Sequence, residues 1–237
     1  MADDHATPAE EEYLQSLYWL FEAGLQMTGA NLARAMQLSA PTVHEMLGRL
    51  ERHGYIVRGA GRGIDFTPAG REHAEQIVGR HRMIERFLTD VVGVPWDDVH
   101  EEAEHLEHAM TPRFEAYVRS AVGDAATCPH GHPIRVGHRT DGVPLADCVL
   151  GARVRILRFE NEAEDLLHYL KRAGIEPGLD GEVTGSDERL VTVRIDGASA
   201  EITTSVAETV SVLASPSPPP RTALPEQLVL GRERYGR

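Results

Sequence analysis

The sequence predicts an α+β protein with an N-terminal winged helix-turn-helix, a helical middle part and a small, mostly β module at the C-terminal end. Three observations support this prediction. Two short helical segments meet at a tight joint and precede two strand-like runs around a glycine-rich turn. Long segments with helical spacing of apolar residues follow. Beyond a region rich in Gly, Pro and His, the apolar residues lie in short strand-like runs.

The helix-turn-helix is predicted by its start and stop signals. After a first helix from Pro8 to about Ala23, a short helix spans 28–36 and a second spans about 40–53. Ser39 suits the N-cap of the second helix, Pro41 its first turn and Gly54 its end. Residues 55–67 then read as a β-hairpin, so the whole unit is a winged helix.

The middle part is predicted to be helical because the same start signal occurs twice. Thr67-Pro68 starts a helix that runs to about Val92, and Thr111-Pro112 starts another that runs to about Val122. The apolar surface of these helices is larger than one small domain could bury by itself, which predicts a homodimer. The residues concerned are Val91, Val94, Trp96, Leu106 and Met110.

Composition shifts define the predicted domain boundaries. The divisions are 1–73 for the winged helix-turn-helix, 74–123 for the helical domain, 124–150 for a Pro/Gly linker, 151–214 for the β module and 215–237 for a disordered tail. Within the β module we expect a strand at 153–159, a helix at 162–175 and strands near 181–185, 189–195 and 200–205.

Charge and cysteine content indicate the cellular compartment in which the chain works. Its 237 residues carry a net charge of −13 and only two cysteines, Cys128 and Cys148, which fits a reducing compartment. The N-terminus has no pattern of a signal peptide, and no apolar run reaches the roughly 18 residues of a membrane span. We therefore expect a cytoplasmic protein without a membrane partner.

Positive charge is concentrated where the winged helix is predicted. Residues 26–71 contain six Arg and three acidic residues, a local charge of +3. Such a local patch is what phosphate neutralisation on double-stranded DNA requires. The start of the second helix would meet base edges, with arginines on the phosphates. The predicted DNA-binding residues are Ser39, Pro41, Thr42, His44, Glu45, Arg49, Arg52 and Arg62.

The run from Asp97 to Met110 holds three His and six acidic residues without a basic residue. At about 100° per residue, His100, Glu104, Glu107 and His108 share an arc about 100° wide. Carboxylates so close together repel, and a divalent cation removes the repulsion. Imidazole with carboxylate suits Mn, Fe, Co, Ni or Zn. A solvated acidic surface is the alternative, but histidines at helical spacing among the acids favour a metal site.

These features together identify a family. The winged helix, the run HRMIERFL at 81–88, the run VHEEAEHLEH at 99–108, the linker and the β module occur in an order that resembles the diphtheria toxin repressor family of metal-dependent repressors. The likeness covers about residues 8–213. It implies a homodimer that binds DNA when Fe²⁺ or Mn²⁺ fills sites between the winged helix and the dimerisation helices. It also implies that the β module is SH3-like.

The resemblance implies two metal sites. The primary site corresponds to Glu12, Glu104, Glu107 and His108, and the ancillary site to His81, Glu85 and His100. The SH3-like module sometimes adds ligands, here from among Glu162, Glu164 and Asp165. The iron-sensing members carry Met and Cys where this chain has Glu12 and Glu104. Two carboxylates at these positions favour Mn²⁺, with Fe²⁺ as the alternative and with Co²⁺, Ni²⁺ or Zn²⁺ as substitutes in vitro.

Other interpretations remain at this point. Gln15 stands where manganese-sensing members without a β module have a second Glu, so their shared two-metal arrangement is not expected here. Glu104, Glu107 and His108 also resemble half of a di-metal oxidase site, although no second copy is present. A metal-independent winged-helix regulator would leave the acidic helix without a role.

A cluster of two histidines and a cysteine lies in the predicted linker. Cys128, His130 and His132 form a C-x-H-x-H pattern that can bind zinc, but we favour a Pro/Gly loop without metal function. His73, His138 and His168 are expected to be ordinary histidines on the surface or satisfied in the core.

Overall fold

The computed structural model describes residues 6–59, 63–135, 137 and 140–215. The N-terminal part contains α1 (Pro8–Glu22), α2 (Gly29–Ala35) and α3 (Ala40–Arg52). As predicted, Ser39 caps α3, and its Oγ accepts a hydrogen bond from the amide of Thr42. Strands β1 (Ile56–Arg58) and β2 (Ile64–Phe66) pair antiparallel to form the wing. Arg62 lies outside the described residues.

One core joins the winged helix to the helix that follows it. Buried side chains from α1, α2, α3 and the wing pack against the first half of α4 (Pro68–Phe87). Gly70 is required at this junction, because a Cβ there would lie 1.8 Å from the carbonyl oxygen of Tyr55. The largest fully buried side chains of this core include Leu14, Leu17, Tyr18, Leu20, Leu32, Leu50, Ile56 and Ile77.

The middle part follows the predicted order of helices. The helix expected to reach Val92 is α-helical to Phe87 and continues as one π-helical turn, Leu88–Val92. Gly93 then ends it with a φ of +86°. Next come α5 (Val99–Glu107) and α6 (Pro112–Val122). Helix α4 packs against both, so its second half lies alongside the acidic helix α5.

The C-terminal part is an antiparallel sheet with the strand order β3-β8-β4-β5-β6-β7. Its strands are β3 (Val143–Pro144), β4 (Arg153–Phe159), β5 (Asp180–Ser186), β6 (Leu190–Ile195), β7 (Ala198–Thr203) and β8 (Val210–Ser215). Helix α7 (Glu164–Arg172) follows β4, and the short α8 (Thr204–Ala207) follows β7. Strands β3 and β8 and helix α8 were not predicted from the sequence. Residues 216–237, the predicted tail, lie outside the described residues.

The C-terminal module is attached to the helical domain beside α5. Trp96, just before α5, packs on the core of the module, with its ring 5.6 Å from that of Phe159. Nearby, Lys171 of α7 forms an ion pair with Asp97. This attachment brings the loop between β4 and α7, which carries Glu162, over the acidic helix.

Candidate metal centre

Helices α4 and α5 bring three predicted ligands together. His81 and Glu85 are four residues apart on α4, so they share one helix face. His100 lies on the first turn of α5. Glu162, from the loop before α7, completes the group, and donor atoms of all four side chains lie within 4.8 Å of one another. The predicted ancillary ligands therefore meet in the structure, together with one of the three candidates from the module.

Contacts within this group are short. His81 Nε2 lies 3.0 Å from Glu85 Oε1 and 3.2 Å from His100 Nδ1. His100 Nδ1 lies 3.0 Å from Glu85 Oε1 and 3.1 Å from Glu162 Oε2. Glu164 and Asp165, the other two candidates from the module, are not members of this group.

Burial and charge act against each other in the group. Burial lowers the pKa of His81, but Glu85 and Glu107 outweigh it and raise the pKa to about 10. Burial likewise opposes ionisation of Glu162, as does nearby Glu85, yet His130 and His100 bring its pKa down to about 2. Protonated imidazoles thus hold carboxylates together here, a role that a divalent cation would take over.

A turn at 128–132, predicted from the sequence to be a loop without metal function, brings further side chains of metal-binding type to this group. Cys128 and His130 are fully buried, and their donor atoms lie within 4.8 Å of Glu85. Gly131 makes the turn possible, because its φ is +91° and a Cβ would lie 1.9 Å from the carbonyl oxygen of Leu157. The C-x-H-x-H spacing was the available signal. We call His81, Glu85, His100, Cys128, His130 and Glu162 the inner cluster.

The hydrogen bond made by His130 leaves its other ring nitrogen able to bind a metal ion. Its Nε2 donates to the carbonyl oxygen of Trp96 at 2.7 Å, which leaves a lone pair on Nδ1 in the neutral ring. That Nδ1 is buried without a hydrogen bond, although it lies 3.2 Å from Glu85 Oε1 and 3.6 Å from Glu162 Oε1. A ring with one nitrogen bonded to a backbone carbonyl and the other directed at carboxylates is arranged as metal-binding histidines usually are.

A second group, the outer cluster, consists of Glu11, Glu107 and His108. Glu11 Oε2 accepts a hydrogen bond from His108 Nδ1 at 2.9 Å, and His108 Nε2 lies 3.4 Å from Glu107 Oε1. The resemblance had pointed to Glu12 of α1, but Glu11 makes this contact. Consecutive helical residues point about 100° apart, so the packing of α1 decides which of them faces α5.

Glu12 and Glu104 line a cavity of about 450 Å³ beside the outer cluster. They are more exposed than Glu107: the side chain of Glu104 is 46% exposed and that of Glu107 is 2% exposed. The cavity lies between α1, α5 and the C-terminal module, and its lining includes ten acidic residues and one arginine, Arg82. Such a surface attracts cations strongly.

Glu107 and His81 connect the two clusters. His81 Nδ1 donates to Glu107 Oε2 at 2.8 Å, while its Nε2 faces Glu85 in the inner cluster. Gln15 of α1 donates to the same Glu107 oxygen at 3.5 Å. Side chains that could bind a metal therefore form one continuous series of contacts from Glu11 through Glu107 to Glu162.

The predicted DNA-binding residues at the start of α3 share one exposed face. Val43, Leu47 and Leu50 of the same helix are buried against the N-terminal core. Arg52 is exposed, whereas Arg49 forms an ion pair with the buried Glu10 of α1. The exposed residues of the start of α3 are Ser39, Pro41, Thr42, His44 and Glu45.

Family models cover nearly the whole chain. Residues 5–64 match the N-terminal DNA binding domain of iron dependent repressors, residues 67–135 match their metal binding and dimerisation domain, and residues 143–214 match the FeoA domain. The diphtheria toxin repressor of Corynebacterium diphtheriae is 30% identical over 217 residues, which span 85% of this chain and 95% of that protein. This chain belongs to the diphtheria toxin repressor family.

Solved structures of the family have the same fold. A manganese-dependent transcriptional repressor in complex with manganese is 28% identical with a TM-score of 0.79, covering 86% of this chain and 99% of that one. The IdeR protein of T. acidophilum is also 28% identical, with a TM-score of 0.72 over 88% of this chain and 98% of that one. Family members are metal-dependent DNA-binding repressors, so the interpretation as a metalloenzyme is excluded. Among the described residues, no helix is both long and apolar enough to cross a membrane.

Proposed function

We propose that this chain is a cytoplasmic, manganese-responsive repressor that binds operator DNA as a homodimer. The observation that supports manganese is the oxygen-rich character of the cavity end nearest α1. Glu11 and Glu107 contact His108 there, and Glu12 and Glu104 line the adjoining wall. Four carboxylates with one imidazole are hard donors of the kind that Mn²⁺ accepts.

The residues present fit a metal ion. Buried donor atoms without a hydrogen-bond partner face the inner cluster, namely His130 Nδ1 and Glu85 Oε2. When bound, a divalent cation would supply the positive charge that offsets repulsion among the carboxylates. Glu11 and Glu12 then hold α1 against α5, and Glu162 holds the C-terminal module against α4. Fixing α1 in this way fixes the winged helix relative to the dimerisation helices.

A second candidate is an iron-responsive repressor. It is favoured by the inner cluster, where the Cys128 thiol and the imidazoles of His81, His100 and His130 make a softer set of donors than the outer cluster. The chain is similar both to the iron-dependent repressor IdeR and to a manganese-dependent transcriptional repressor. The two clusters therefore differ in the metal that their donors suit.

The DNA-binding surface in this proposal is the exposed start of α3, where the side chains of Ser39, Pro41, Thr42, His44 and Glu45 would meet the major groove. Arg52 lies beyond them and would contact phosphate. The homodimer would form through exposed apolar residues of the helical domain, which are Val91, Val92, Leu106, Phe114 and Tyr117. Of the five residues from which a homodimer was predicted, Val94, Trp96 and Met110 instead pack within the protomer.

The test is a DNA-binding titration under anaerobic conditions. A duplex is first selected from a random pool by the protein in Mn²⁺, and its affinity is then measured in Mn²⁺, in Fe²⁺ and in excess chelator. We expect tight binding in Mn²⁺ and weak binding in chelator. Equal affinity in chelator and in Mn²⁺ would contradict metal dependence. A response to Fe²⁺ with none to Mn²⁺ would replace the manganese proposal by the iron one.

A further inference from the structure

Three consecutive glutamates at the start of α1 contact three different parts of the protein. Glu12 lines the acidic cavity, and Glu11 contacts His108 beside α5. Glu10 points the other way, toward α3. Successive helical residues are about 100° apart, so any movement of this first turn moves all three carboxylates together.

Glu10 is the most buried of the three, with its side chain only 1% exposed. Its Oε1 lies 3.0 Å from Arg49 Nε and 2.6 Å from His53 Nδ1, at the C-terminal end of α3. Arg49 also donates to Thr7 Oγ1 at 3.5 Å. Burying a carboxylate is costly unless its partners stay in place. The C-terminal end of α3 must therefore follow the first turn of α1.

We propose that Glu10 is a positioning residue that transmits the state of the metal centre to α3, the helix that meets DNA. This proposal rests on the proposed metal-dependent function, and it identifies the residue that links the metal centre to α3. Glu11 and Glu12 would fix the first turn of α1 when the metal centre is filled, and Glu10 would then fix α3 through Arg49 and His53. Arg49, predicted from the sequence to contact phosphate, would act through Glu10 instead.

A parallel contact reaches the wing. Glu11 Oε1 lies 3.5 Å from His73 Nε2, and the His73 ring stacks on Tyr55 at 5.4 Å with planes 16° apart. Tyr55 immediately precedes β1 of the wing. The first turn of α1 thus contacts both elements that approach DNA in a winged helix.

Glu10 has a second role, which the test must separate from the first. It is the N3 residue of a capping box, and it accepts hydrogen bonds from the amide and the hydroxyl of Thr7, both at 2.8 Å. Glutamine can serve the same capping box. Glu10→Gln therefore keeps the helix start while it removes the charge that pairs with Arg49 and His53. Glu75→Gln is a matched control, because Glu75 pairs with Arg71 on the surface of α4.

The experiment compares wild type, Glu10→Gln and Glu75→Gln in two measurements, Mn²⁺ affinity without DNA and DNA affinity with and without Mn²⁺. For Glu10→Gln we expect wild-type Mn²⁺ affinity and wild-type DNA affinity in chelator, but a gain in DNA affinity on adding Mn²⁺ that is at least about fivefold smaller, since allosteric coupling typically spans 5- to 150-fold. Glu75→Gln should match wild type throughout.

Arg49→Gln keeps the capping box and tests the same link from α3, so it serves if Glu10→Gln does not fold. It should reduce the gain from Mn²⁺, and the double variant should lose no more than either single one. A Glu10→Gln protein with the full wild-type gain, or losses that add in the double variant, would overturn the link through Glu10 alone. A wild-type protein that ignores Mn²⁺ would overturn the proposed function as well.

Discussion

Glu107 is the residue whose replacement should affect the metal centre most, because it belongs to the outer cluster and also contacts His81 of the inner cluster. Its Oε2 accepts from His81 Nδ1 at 2.8 Å, and its Oε1 lies 3.4 Å from His108 Nε2. Glu107→Gln keeps the size and shape of this buried side chain and removes its charge. The change therefore tests electrostatics with little disturbance of packing.

The expected magnitude follows from these contacts. A hydrogen bond to a charged group contributes about 1.5–3 kcal/mol, and about 1.4 kcal/mol changes an equilibrium constant tenfold. Loss of the charged bond to His81 would also release the orientation of a ligand in the inner cluster, which typically costs 10- to 100-fold in metal affinity. We expect Glu107→Gln to bind Mn²⁺ roughly 10- to 100-fold more weakly than wild type.

The measurement is anaerobic competition for Mn²⁺ against a chelator of known affinity, with the stoichiometry followed in the same titration. Glu102→Gln is the matched control, since Glu102 is an exposed residue of the same helix that is not part of the cavity lining. The control should bind Mn²⁺ as wild type does. Wild-type affinity and stoichiometry in Glu107→Gln would refute the assignment of Glu107 to the centre.

Three further predictions concern other parts of the protein. Cys128→Ser should weaken Co²⁺ binding and remove the cobalt–thiolate charge-transfer absorption in the near ultraviolet; an unchanged spectrum would exclude Cys128 as a ligand. Tyr117→Glu, which puts a charge on the exposed apolar face of α6, should shift the dimer toward monomer in light scattering, and an undiminished dimer would move the interface elsewhere. Arg52→Ala should lower the slope of log DNA affinity against log salt by about one without changing Mn²⁺ affinity, whereas an unchanged slope would remove Arg52 from the interface.

Local sequence patterns were sufficient to predict most of the helices and strands and to propose several residues of the inner cluster. Ser39 and Pro41 start α3, as Thr67-Pro68 starts α4, because caps and first-turn prolines act within a few residues of themselves. His81 and Glu85 share a face because four residues are close to one helical turn. The acidic helix was recognisable for the same reason, and these features were specific enough to indicate the family.

Contacts between distant segments were decided by the tertiary structure alone. The sequence could not say that Glu11 would meet His108, 97 residues away, because one position on α1 changes the direction of a side chain by about 100°. Nor could it choose Glu162 over Asp165, or bring Cys128 and His130 to Glu85, since the attachment of the module beside Trp96 sets those distances. Spacing along a helix is set by backbone geometry, whereas the meeting of helices, turns and modules depends on how their buried surfaces pack together.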